Sequence, residues 1–134
     1  MIHDAALKQV AHKLPKIGPR THAMGDLFMA GVFLAAGLVF YRRNSKRAAL
    51  GAALCGAATL AVSALTDYED SGKKHIHYSN HGGIHTGLAG MAATMPALLD
   101  IADEGEARFF RAAAAVGSVV GIATDYQRRP RRLR

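Results

Sequence analysis

A single thiol, Cys55, is all the cysteine the chain has, so no intrachain disulfide can form and a disulfide-stapled secreted scaffold is excluded. The same scarcity removes the usual ligands for soft metals. A metalloprotease helix motif, a phosphate-binding glycine loop and a nucleophile elbow are all missing. A cleavable signal peptide is not expected either. The first apolar run begins only at Leu27 and no short separate core precedes a small-residue cleavage site. Charge is sparse too: it falls on 20% of the 134 residues, whereas 50% are apolar.

Those apolar residues gather in four stretches, Leu27–Tyr41, Ala48–Leu65, Ile84–Leu99 and Ala112–Ala123. The first is apolar on every face of a helix, a pattern that suits lipid better than water. A span usually takes about 20 residues, so polar flanks such as Met24–Asp26 and Thr66–Tyr68 have to count toward the membrane length. The third and fourth stretches are rich in Ala and Gly, which insert less strongly than Leu or Phe. The expectation is an all-α fold of four transmembrane helices in two hairpins, with a water-soluble four-helix bundle as the alternative.

Residues 1–20 set Ile2, Ala6, Val10 and Leu14 on one helical stripe against Lys8, His12, Lys13 and Lys16, as in an amphipathic helix lying on a membrane surface. The first hairpin is expected over 21–68, with helices at about His22–Tyr41 and Ala48–Tyr68 joined by the basic run 42–47. Residues 69–78 form a polar loop. The second hairpin covers 79–126, its first helix kinked or ended by Pro96 and its second running from about Arg108 to Tyr126. Gly117 and Gly121 give that last helix a small face suited to a tight crossing, within the chain or between two copies of it.

The basic tail 127–134 has no aromatic platform or recognition motif beside it, so it reads as a topology anchor rather than a nucleic-acid site. Basic residues outnumber acidic ones most on the side holding both termini, which positive-inside accounting places in the cytoplasm.

Chemistry gathers where the apolar runs begin and end. His81 and His85 stand four residues apart, as do His22 and Asp26, and that spacing makes neighbours on one helix face. A shift of 59 lays His22 on His81 and Asp26 on His85, and a shift of 58 lays Thr66-Asp67-Tyr68 on Thr124-Asp125-Tyr126. The hairpins therefore read as parallel repeats related by an axis along the membrane normal. That topology brings His22, Asp26, His81, His85, Asp67, Tyr68, Asp125 and Tyr126 into one layer near the inner leaflet.

An aspartate at a helix C-terminus faces the negative end of the dipole, at a cost of up to about 1 kcal/mol, so Asp67 and Asp125 want a cation nearby. The six ligand candidates are His22, Asp26, His81, His85, Asp67 and Asp125, with Tyr68 and Tyr126 as supporting groups. Imidazoles with carboxylates suit zinc, iron or manganese. Alternatively, His22 and His81 could be the axial ligands of a haem. A purely structural hydrogen-bonded layer is a further reading, as is a proton- or ion-responsive gate in a transporter, channel or accessory subunit.

The His-x-x-x-Asp opening of the first helix, the Thr-Asp-Tyr-Glu ending of the second and the repeated His-plus-four opening with a late proline are similar to small bacterial four-helix membrane proteins of the SPW-repeat type. The similarity covers Thr21 to Tyr126. The Ser-Pro-Trp element itself is absent: Thr94-Met95-Pro96 stands there, the chain has no tryptophan, and His85 replaces the second aspartate. The resemblance implies a multi-pass protein of the bacterial inner membrane built from a duplicated hairpin, and it implies no particular activity.

Overall fold

A computed structural model describes residues 16–128 together with Ala5 and Gln9. Most of the expected surface helix and the arginine-rich end of the tail lie outside the described residues. Among those described, four helices follow one another: α1 (Pro19–Arg42), α2 (Lys46–Leu65), α3 (Tyr78–Leu98) and α4 (Ala107–Ala123). The described residues are thus mostly helical, and α1 and α2 are long and apolar enough to cross a membrane.

Helix α1 starts earlier than expected because Pro19 sits in its first turn, where a missing N–H breaks no helical bond. It ends on Asn44, whose left-handed backbone (φ 66°) lets Ser45 N–H reach Phe40 O at 2.9 Å. Helix α3 closes in the same way, with Asp100 left-handed and Ile101 N–H on Pro96 O at 2.9 Å. Pro96 lies inside α3, and the helix ends two residues beyond it.

Helices α2 and α4 stop three residues short of the expected Tyr68 and Tyr126. In both places the threonine leaves the helix with extended backbone, Thr66 at φ −83°, ψ 131° and Thr124 at φ −89°, ψ 136°. The short strand β1 (Thr66–Asp67) pairs in parallel with β2 (Ile76–His77), at the entrance to α3. Thr124 makes the matching parallel bridge to Ile17, at the entrance to α1. Each hairpin therefore ends against the beginning of the other.

Packing is closest within each hairpin. Small residues carry it, and the buried core beyond them is Phe33, Phe40, Met95, Ile101 and Phe110 with several alanines. Large apolar side chains point outward instead: Phe28 and Leu98 are 71% exposed and Ile122 84%. Gly117 and Gly121, considered for a contact between copies, face α3 of the same chain. A Cβ on Gly117 would meet Ala89 at 3.6 Å, and one on Gly121 would meet the His85 ring at 3.1 Å.

Gly51 gives a direct check of this packing. A Cβ there would lie 2.5 Å from Leu99 Cδ1 and 2.8 Å from Met95 Cγ, so Gly51→Ala should destabilise the fold by about 1–3 kcal/mol. Gly31, with nothing within 4 Å of its Cβ position, should gain up to about 1 kcal/mol from the same change. Unfolding of the two variants side by side in detergent reads the difference.

Candidate metal centre

Helix α1 presents His22 and Asp26 one turn apart, and α3 presents His81 and His85 in the same way. The two pairs meet between the hairpins, all four residues buried. His22 Nε2 lies 3.1 Å from His81 Nε2 and 3.4 Å from Asp26 Oδ1. His81 Nε2 is 3.0 Å from Asp26 Oδ2, and His85 Nδ1 is 3.6 Å from Asp26 Oδ1.

The opposite ring nitrogens decide what these inner atoms carry. Thr66 Oγ1 donates to Val62 O at 2.7 Å, so its contact with His81 Nδ1 at 2.8 Å can only be one in which the imidazole N–H donates. Thr124 Oγ1 likewise donates to Val120 O and accepts from His22 Nδ1 at 2.8 Å. His85 Nε2 faces Gly117 O at 2.8 Å, and a carbonyl can only accept. A neutral imidazole has one N–H. With the imidazoles neutral, each inner nitrogen is a bare lone pair, and three of them converge beside a carboxylate.

A proton or a metal ion would bridge such a cluster. A shared proton serves two of the four groups, whereas one metal ion serves them all. A tetrahedral ion with bonds of roughly 2.0–2.1 Å holds its ligand atoms about 3.3 Å apart; four of the contacts here, drawn to both Asp26 oxygens, run from 3.0 to 3.6 Å, and one ligand atom from each of the four residues lies within 4.8 Å of the others. His22, Asp26, His81 and His85 can thus hold a metal ion. Fixing the outer N–H of each histidine is the usual way a protein orients metal-binding imidazoles.

Haem does not fit His22 and His81. Axial ligands lie across one iron, about 4 Å apart at roughly 2 Å per bond, and a separation of 3.1 Å leaves no room for a macrocycle between them. The rings of His85 and Tyr126 also close on His22 at 4.9 and 5.4 Å. The arrangement gives the haem expectation no support.

Asp67 and Asp125 are turned elsewhere. Successive side chains of an extended segment point to opposite sides, so Thr66 and Tyr68 face the cluster while Asp67 faces its own loop. There its oxygens accept from Ser71 N–H, Ser71 Oγ and Gly72 N–H at 2.7–3.0 Å. The Ser71 amide foremost holds the Asp67 carboxyl below the usual range. Asp125 accepts from Gln127 N–H at 3.1 Å. Leaving the helix removes each carboxylate from the dipole, and local N–H groups do what a cation was expected to do.

Tyr68 donates to Asp26 Oδ2 at 2.8 Å, and burial, helped by the Asp26 charge, pushes its phenol well above the usual range. Tyr126 lies against His22, beside Tyr78, with ring centroids 5.4 Å apart. Both hydroxyls are buried and have no hydrogen-bond partner among the described residues. Thr66, Thr124 and Tyr78 were not among the sequence candidates. The two threonines were nonetheless visible in the repeated Thr-Asp-Tyr, had it been read as extended chain.

Beside the centre lies a cavity of about 190 Å³ with almost wholly apolar walls, reached by Asp26 and His85 at one end. No protein-family model, curated protein or solved structure matches the chain.

Proposed function

We propose that the chain is an integral membrane protein whose four helices cross the bilayer and whose His22, Asp26, His81 and His85 hold one divalent transition-metal ion. The observation that carries the metal reading is the fixed orientation of the three imidazoles, each with its outer nitrogen on an oxygen and its inner nitrogen within 3.0–3.6 Å of Asp26. Three nitrogens and one oxygen favour zinc, iron or manganese over softer ions.

The membrane reading is supported by an inverted polarity, with leucines, Phe28 and Ile122 outward and the ionisable cluster inward. By sequence, Lys8, Lys13, Lys16, Arg20, Lys73, Lys74 and the five arginines of residues 128–134 belong to the side of both termini, against Arg42, Arg43, Lys46, Arg47, Arg108 and Arg111 on the other. This asymmetry favours placing the centre and both termini toward the cytoplasm, in a bacterial inner membrane. The halves are read as a duplicated unit, because the His22–Thr124 and His81–Thr66 contacts fall on one another under the sequence offsets.

Metal analysis of detergent-purified chain tests the reading. One zinc, iron or manganese ion per chain is expected. After chelation, Co²⁺ should restore one equivalent and give the visible bands of a four-coordinate nitrogen–oxygen site. A chain that stays metal-free after reconstitution, or shows a Soret band, overturns it.

A further inference from the structure

We propose that the apolar cavity beside the centre is its substrate pocket, taking the hydrocarbon body of a molecule dissolved in the bilayer. The proposal rests on the metal reading and adds the class of molecule brought to it. Two of the four ligand residues, Asp26 and His85, are also cavity wall. A guest in the cavity is therefore in contact with the residues that hold the ion.

The walls select against polarity. Asp26 and His85 are buried, with Asp26 Oδ2 on Tyr68, His85 Nε2 on Gly117 O, and Asp26 Oδ1 and His85 Nδ1 turned to the cluster. A charged or strongly polar guest would leave its own donors unpaired, whereas an apolar one loses only water or lipid contact.

Volume and access point the same way. An apolar protein cavity of about 150 Å³ holds benzene, so about 190 Å³ admits a single ring or a short length of acyl or isoprenoid chain. Two of the lining residues, Phe28 and Val116, are 71% and 49% exposed on the outer helix faces. The cavity thus opens sideways, where acyl chains would run, instead of toward either aqueous end. Gly25 keeps it clear: a Cβ there would meet nothing within 4 Å.

The test uses the full chain in detergent, loaded with Co²⁺ and ¹³C-labelled at its methionine methyls, with benzene as the apolar probe. Met29 lines the cavity, while Met24 is 72% exposed outside it and reports benzene in the micelle. The Met29 signal should shift and saturate while Met24 drifts without saturating. The cobalt bands should move with the Met29 midpoint. Gly25→Leu and Val116→Phe, filling the cavity from opposite walls, should each weaken that midpoint about tenfold, roughly two buried methylenes' worth of contact, and leave cobalt binding unchanged.

A Met29 response that parallels Met24 overturns the pocket. Saturation at Met29 with the cobalt bands unmoved overturns its link to the centre. A chain with no cobalt bands at all marks failure of the metal reading instead, and the substrate assignment falls with it whatever Met29 does.

Discussion

Alanine at His81 should weaken binding of the divalent ion by at least about 100-fold. Losing only an orienting partner of a metal-bound histidine costs 10–100-fold, and this change removes the ligand atom itself. His81 is the most enclosed of the four, fully buried and touching both His22 and Asp26. The stability consequence follows from linkage. An ion present at 100 times its Kd stabilises the folded chain by about 2.7 kcal/mol, and a 100-fold weaker site forfeits most of that. Chelation should therefore lower the unfolding midpoint of the unsubstituted chain and leave H81A unmoved. If both respond alike, or if H81A binds as tightly as before, the centre is not where we place it.

The second large effect is expected from two residues that never touch the ion. Thr66→Val and Thr124→Val keep the side-chain shape but delete the oxygen that receives the imidazole N–H. Each should lower metal affinity about 10–100-fold, and the two should combine non-additively because the histidines they hold lie 3.1 Å apart and face one site. Thr→Ser at either position restores the oxygen and should recover most of the affinity. A merely structural role would give a different signature, a loss of stability in the chelated protein with metal affinity intact. Competition against a chromophoric chelator separates the two outcomes.

Much of this arrangement was legible because its period is helical. The apolar runs located all four helices, and the spacing of His22 with Asp26 and of His81 with His85 placed each pair on one face before any coordinates were known. The Thr-Asp-Tyr endings were harder. They follow directly on apolar runs, so continuing the helix was the natural reading, and on a helix the aspartates look like the chemically important members.

As extended chain the same three residues alternate, and the threonine and tyrosine turn inward while the aspartate turns away. Only the pairing of Thr66 with Ile76 and of Thr124 with Ile17, between segments distant in sequence or on opposite hairpins, fixes that state. The cavity was hidden for another reason. Its walls come from all four helices, Gly25 from α1, Cys55 from α2, Ala89 from α3 and Gly117 from α4, and the space exists only once they are assembled.

The strand exchange at the centre's end also bears on what a single hairpin could do alone. His22 in the first half leans on a threonine of the second, and His81 in the second leans on a threonine of the first, so neither half oriented by itself holds a complete set of anchors. Two identical hairpins meeting about the line between those histidines would have to offer the same residue twice at the next turn. A single covalent chain is free of that obligation, and here it offers Asp26 on one side and His85 on the other. The result is a lopsided cluster in which one carboxylate, and not two, would offset the charge of a bound dication.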